Sequence, residues 1–152
     1  MKKIKIIIAD DHKLFRDGLR YILGETDNIE VLSEVSNGKE LLEILEVAQP
    51  DVVLLDINMP VMNGIDAARE AMSLYPGLKI LVLTMYDDEQ YYNSLIEIGV
   101  KGFVLKDTDS KELKNAIVAV ATGNSYFSQE LLLKLIRKKK SKEEVEEGLK
   151  LT

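Results

Sequence analysis

The chain has no cysteine, one histidine and three prolines in 152 residues, and each scarcity excludes something. Without cysteine there is no disulfide, no thiolate nucleophile and no cysteine-ligated metal, which agrees with a reducing compartment and makes the cytoplasm the expected location. Long hydrophobic runs are missing too. Even Ile4 to Ala9 is interrupted by Lys5 and closed by Asp10 and Asp11, far short of the roughly 18 to 20 apolar residues of a membrane span, so no membrane partner is expected. The apolar stretch after the N-terminal lysines is too short for a signal peptide, and no small-residue cleavage pattern follows it. Positive charge is also in short supply. A formal net charge of -6 argues against a nucleic-acid surface on the chain, because affinity for phosphate backbones comes from clustered Lys and Arg. The single histidine, His12, lies beside two aspartates. A lone ligand is no cluster, and first-turn helix positions on a surface accept histidine freely, so it is expected to be an ordinary solvated residue.

What is present is a repeating pattern. Aliphatic or β-branched runs at Ile4 to Ala9, Ile29 to Val35, Asp51 to Leu55, Lys79 to Leu83 and Gly102 to Leu105 predict five strands. Several are apolar at nearly every position, as parallel strands covered on both faces are. Helical periodicity fills the gaps. Leu14, Phe15, Gly18, Leu19, Ile22 and Leu23 share one face of a first helix; Leu41, Leu42, Leu45 and Ala48 mark a second; a third runs from about Gly64 to Leu74; a fourth holds Tyr91, Tyr92, Leu95 and Ile96. The fifth carries Leu113, Ala116, Ile117, Val120 and Ala121, with Asp109 and Glu112 as a capping pair. Strands alternating with helices give right-handed βαβ crossovers and an α/β fold with a parallel sheet. Pro50, Pro60 and Pro76 all fall between elements, where a missing amide donor does least harm. After Ser128 a further amphipathic helix with Leu131, Leu132, Leu135 and Ile136 runs into a basic block, Arg137 to Lys140, and an acidic one, Glu143 to Glu147. These blocks read as i, i+4 pairs on the solvated face of a linker.

In an open parallel sheet, ligands bind at the carboxyl ends of the strands. Those ends carry Asp10 and Asp11 on the first strand, Asp56 on the third, Thr84 on the fourth and Lys106 on the fifth. Taken singly, each has an ordinary structural use as a cap, a turn residue or a solvated lysine. Taken together they pose an electrostatic problem, because three neighbouring carboxylates raise one another's pKa unless a cation joins them. Oxygen-only ligands in an incomplete cage favour Mg²⁺, which keeps waters and accepts a phosphate in its shell. In-line phosphoryl transfer needs an oxygen nucleophile, a metal and further donors, and Asp56, Mg²⁺, Thr84 and Lys106 supply one candidate for each.

The motifs IIIADDHKLFRDGL, VVLLDINMPVMNGID, ILVLTMYDD and GFVLKD resemble the receiver domain of bacterial two-component response regulators, over about the first 125 residues. The resemblance implies a flavodoxin-like (CheY-like) doubly wound α/β fold, with a five-stranded parallel sheet of order 2-1-3-4-5 and helices on both faces. It also implies roles. Asp56 would be the phosphoacceptor for a sensor histidine kinase, with Asp11, Asp56 and the backbone carbonyl of Asn58 on Mg²⁺ and Asp10 supporting it through water. Thr84 and Lys106 would bind the phosphoryl oxygens, and Phe103 would be the aromatic switch. Asn58 and Tyr86 flank the site. Such a domain is no enzyme in the ordinary sense, since it catalyses only its own phosphorylation and dephosphorylation. One departure is Asp107, where the single-domain chemotaxis type has a proline across a cis bond; without proline such a bond costs about 3 to 4 kcal/mol, so it is not expected here.

The ADDH start and LKD ending resemble the NarL/FixJ subfamily, whose members add a LuxR-type helix-turn-helix. On that resemblance residues 1–125 form the receiver domain and 126–152 a C-terminal helix and linker toward an absent DNA-binding domain, with Leu151 and Thr152 at its threshold. DNA would then be a partner only through that missing part, and a homodimer formed on phosphorylation, through the fourth and fifth elements or the first and fifth helices, stays open. Three rivals are weaker. A haloacid-dehalogenase-type phosphatase places its nucleophile after the first strand in an Asp-x-Asp pattern, which Asp10 and Asp11 do not match. A flavin module would set an FMN phosphate against those same aspartates. A degenerate receiver would lack part of the acidic set.

Overall fold

The computed structural model describes residues 2–85, 90–129, 131–133 and 136–137. Tyr86, Leu135, Lys138 to Lys140, the acidic block Glu143 to Glu147, Leu151 and Thr152 lie outside the described residues. Strands and helices alternate as the periodicity predicts: β1 (Ile4–Ala9), α1 (Lys13–Gly24), β2 (Ile29–Val35), α2 (Gly38–Leu45), β3 (Val52–Asp56), α3 (Gly64–Leu74), β4 (Ile80–Thr84), α4 (Tyr92–Ile98), β5 (Gly102–Leu105), α5 (Ser110–Ala121) and β6 (Tyr126–Phe127). All strand pairings are parallel. The order is β2-β1-β3-β4-β5-β6, so the expected 2-1-3-4-5 arrangement holds, with a short sixth strand added beside β5.

Alternation along the strands sorts the core into two layers. Ile7, Val53, Leu55, Ile80, Val82 and Phe103 face one side and pack with α2, α3 and α4. Their neighbours Ile6, Ile8, Val52, Leu54, Leu81 and Val104 face the other and pack with α1 and α5. This is why the strands look apolar throughout. Three helices start on side-chain caps: Asn37, Asn63 and Asp109 accept from the backbone N–H of Glu40 (2.9 Å), Asp66 (2.9 Å) and Glu112 (2.8 Å). The expected pairing of Asp109 with Glu112 is half realised, since the Glu112 carboxylate turns to Thr108 Oγ1 (2.6 Å) and Tyr126 OH (3.1 Å).

Several expectations shift. β3 and β4 each begin and end one residue later than their apolar runs, because the ladder continues through Asp56, paired with Leu83, and Thr84, paired with Leu105. Of the α1 stripe only Leu19 and Leu23 are buried; Leu14 is 88% exposed, and Leu14, Gly18 and Ile22 line a groove between α1 and α5. Ile96 is likewise exposed on the short α4, where Tyr92 and Leu95 fill the core. Among the described residues after Ser128, Leu131 is fully buried while Leu132, Leu133 and Ile136 are exposed. No cis peptide occurs among the described residues, and the Lys106–Asp107 bond is trans.

Two backbone features shape the site's surroundings. In the loop after β3, Val61 has φ 68°, a left-handed conformation that a β-branched residue resists by roughly 1 to 2 kcal/mol, and its side chain is exposed. At the far edge of the sheet, a Cβ on Gly102 would overlap the Tyr126 carbonyl oxygen, so glycine is what lets β6 approach β5. Gly102→Ala is therefore expected to push β6 off the sheet, at a cost of about 1 to 3 kcal/mol. Hydrogen exchange should show faster exchange of the amides of Tyr126 and Ser128, which donate to Lys101 O and Phe103 O. Unchanged protection at both amides would refute this account of Gly102.

Candidate functional site

The carboxyl edge of β1, β3, β4 and β5 gathers the acidic and basic residues singled out above. Asp10 follows β1 and is fully buried, as is Asp56 at 1% exposure, while Asp11 keeps part of its side chain in solvent. One ligand atom from each of Asp10, Asp11, His12 and Asp56 lies within 4.8 Å of the others. Lys106, which follows β5, reaches across this edge: its Nζ is 2.8 Å from Asp10 Oδ2 and 3.3 Å from Asp56 Oδ1. The Lys106 ammonium also lies over the Phe15 ring, with Nζ 4.9 Å from its centroid, so a cation–π contact adds to the ion pairs.

Local bonds fix each carboxylate. Asp10 Oδ1 accepts from the backbone N–H of His12 (2.8 Å) and lies 3.0 Å from His12 Nδ1. The Arg16 guanidinium donates to the Asp10 backbone carbonyl. Asp56 Oδ1 accepts from the Asn58 N–H at 3.4 Å, whereas Asp56 Oδ2 is buried and has no hydrogen-bond partner among the described residues. Gly64 lies so close beneath that a Cβ would overlap the Asp56 carbonyl, which explains the glycine at the entry to α3. Burial, and then the neighbouring Asp10 carboxylate, push Asp56 up from 3.8 to about 6; the Lys106 ammonium and the Asn58 N–H oppose them.

Thr84 ends β4 fully buried, and its hydroxyl donates to the Met85 carbonyl (3.1 Å) and lies 3.4 Å from the Tyr92 hydroxyl. The Tyr92 ring stacks on Phe103 with centroids 4.9 Å apart, and Phe103 meets Phe127 edge-on at 5.3 Å. A row of aromatics thus runs from the fourth strand's end to β6.

The structure brings Asp10, Asp11, Asp56 and Lys106 into one pocket, sets Asn58 beside it through its backbone, and places Thr84 and Phe103 on the adjoining side. Sequence reasoning weighed His12 and set it aside as a solvated residue, whereas its ring joins the acidic group, and it gave no role at the site to Tyr92 and Phe127, which flank Phe103. For His12 the adjacency to two aspartates was visible, but nothing in spacing alone says that a surface ring turns inward. The donor set suits a divalent cation. Three carboxylates face one ammonium, and the buried Asp56 Oδ2 is left without a hydrogen-bond partner among the described residues.

Comparison with known proteins follows the same line. The sequence model of the response regulator receiver domain matches residues 6–118. The chain is 40% identical over 135 residues to the transcriptional regulatory protein DegU of Brevibacillus brevis, covering 89% of this chain and 57% of that protein. It spans a little over half the length of the curated relatives it matches. Among solved structures it is similar to a LuxR-family two-component response regulator from Aurantimonas sp. SI85-9A1, with TM-score 0.84, 26% identity and coverage of 91% of this chain and 99% of that one. It is also similar to the non-phosphorylated receiver domain of the stress response regulator RcsB from Escherichia coli, with TM-score 0.77, 26% identity and coverage of 84% and 100%. The strand order, the acidic edge and a family match that spans most of the chain converge, and the chain belongs to the response regulator receiver domain family of two-component systems.

Proposed function

We propose that Asp56 accepts a phosphoryl group from a phosphohistidine on a sensor histidine kinase, with Mg²⁺ held by Asp11, Asp56 and the Asn58 carbonyl and supported by Asp10. The observation that carries this reading is a buried aspartate with one unpartnered oxygen, set among carboxylates and countered by a lysine. Bound Mg²⁺ would neutralise the carboxylates and the non-bridging phosphoryl oxygens. An Asp56 oxygen forms the new O–P bond as the P–N bond breaks; the electron pair stays on the donor imidazole, which takes up a proton from solvent. Lys106 exchanges its carboxylate partners for a phosphoryl oxygen, and the Thr84 hydroxyl leaves the Met85 carbonyl to donate to another.

The consequence for shape runs through the aromatics. Once Thr84 turns toward the phosphoryl group, Tyr92 loses a neighbour of its hydroxyl, and Phe103, the switch residue, is free to change its packing. Phe103 also touches Phe127, so residues 126–152, which we assign as the connection out of a receiver unit at 1–125, would receive that change directly. The relative named as a transcriptional regulatory protein supports an output on DNA, which we assign to a further domain, and RcsB, solved as dimers bound to DNA, supports pairing of two copies, which we place after phosphorylation. No helix among the described residues is long and apolar enough to cross a membrane, which fits the proposed site of action in the cytoplasm.

Incubation with acetyl phosphate and Mg²⁺ should add the mass of one phosphoryl group to the intact wild-type chain and none to Asp56→Asn. Equal labelling of the two would remove Asp56 from this role. A second prediction follows from protonation. The folded chain binds a proton at Asp56 up to about pH 6, whereas the unfolded chain releases it near 3.8, so stability falls as pH rises through that window and the penalty is fully present above it. In EDTA at about pH 7.5, Asp56→Asn should melt higher than wild type by about 5 °C, and the difference should shrink when Mg²⁺ is added or when the pH is lowered to about 4. A wild type that melts as high as the variant at neutral pH without metal would contradict the electrostatic account.

A further inference from the structure

The proposed magnesium chemistry leaves the imidazole of His12 unused. Its side chain is 64% exposed, yet Nδ1 lies 3.0 Å from Asp10 Oδ1 and 3.3 Å from Asp11 Oδ1. Those separations have the size of polyhedron edges. Metal–ligand bonds of about 2.0 to 2.1 Å set adjacent ligands about 2.9 Å apart in an octahedron and about 3.4 Å apart in a tetrahedron. The backbone holds residue 12 in this position, since its N–H donates to the same Asp10 oxygen at 2.8 Å. An independent feature points into the same space: Asp56, 1% exposed, contributes to the four-residue cluster and has Oδ2 without a hydrogen-bond partner among the described residues. Positive charge is already drawn there, because Lys106 Nζ stands 3.4 Å from His12 Nδ1 and 2.8 Å from Asp10.

We infer that His12 adds a nitrogen ligand to the acidic pocket and so gives this chain a binding site for late first-row divalent ions, Zn²⁺, Co²⁺ or Ni²⁺, which compete there with Mg²⁺. The inference rests on the metal reading of the pocket and extends it to a ligand and a class of ion. Magnesium gains little from an imidazole, because it prefers oxygen and keeps its waters. Zinc, cobalt and nickel gain much more, and the affinity of mixed nitrogen and oxygen sites rises along the first row toward copper. One ring nitrogen therefore separates ions that carboxylates alone discriminate less. With Nδ1 as the ligand atom, the ring proton sits on Nε2. Lys106 must swing from Asp10 toward solvent to make room, a movement its four-carbon stem allows.

The test is equilibrium binding of Zn²⁺ and Mg²⁺ to the whole chain by titration calorimetry, on wild type and His12→Gln, together with pulsed electron paramagnetic resonance of the Co²⁺-loaded wild type. Glutamine keeps a polar side chain and removes the imidazole nitrogen, and far-ultraviolet circular dichroism checks its fold. The expected result is a loss of Zn²⁺ affinity at least about tenfold larger than any loss of Mg²⁺ affinity, and a nitrogen coupling to Co²⁺ that the variant lacks. The spectroscopic arm is read on the wild type, so it decides the matter even if the variant folds poorly. Mg²⁺ binding with a Zn²⁺ affinity indifferent to the substitution, and no nitrogen coupling, would overturn this inference and leave the magnesium reading standing. Failure of the wild type to bind any of these ions would overturn both.

Discussion

Asp10 and Asp56 sit at the ends of neighbouring strands with almost no solvent, and the ammonium of Lys106 lies between them at 2.8 and 3.3 Å. Two buried carboxylates this close repel strongly, and only a cation in hydrogen-bonding range makes the arrangement tolerable. Other features of the carboxyl edge serve that balance. The parallel register brings β1, β3 and β5 to the same edge, glycine at position 64 lets the chain turn tightly beneath Asp56, and the Phe15 ring faces the lysine ammonium. The remaining negative charge is of the kind that could hold a metal ion, with one ligand atom each from Asp10, Asp11, His12 and Asp56 within 4.8 Å of one another.

The aromatic row explains how a change at this edge could be felt at the other side of β5. Thr84, Tyr92, Phe103 and Phe127 touch in sequence, from a hydroxyl contact through a stacked pair to an edge contact. Packed rings do not deform smoothly, so a rotation at one member is accommodated by its neighbour. Phe127 lies on β6, and only four residues later Leu131 is buried in the same core cluster as Phe103. Residues 126–127 and Leu131 are therefore packed into the same body as the sheet.

Much of the fold was legible because burial on both faces leaves a direct mark: continuous apolar strands alternating with amphipathic helices. The errors fall where that mark fails. Apolar runs stop at Leu55 and Leu83, but hydrogen bonding does not, so Asp56 and Thr84, placed by the sequence at the strands' carboxyl ends just past those runs, are themselves in the ladder. Two residues cannot show a period, which hid β6, and the wide stripe on α1 mixes core contacts with a surface groove. The acidic pocket was legible from strand ends because topology alone places them together. His12 and Tyr92 were not, since their roles depend on side-chain direction, which spacing does not encode.

Val61 makes the loop after β3 unlike its neighbours. An exposed residue does not adopt a left-handed backbone for its own sake: the Met62 N–H donates to Pro60 O (2.7 Å) and closes a tight turn centred on Val61, while the Gly64 N–H on Ile57 O and the Gly38 N–H on Met62 O hold the loop on either side. The loop thus behaves as a compressed spring clipped at both ends. When a clip loosens, relaxation of this one residue returns on the order of 1 kcal/mol, roughly a fivefold bias toward a loop in which Val61 is no longer left-handed.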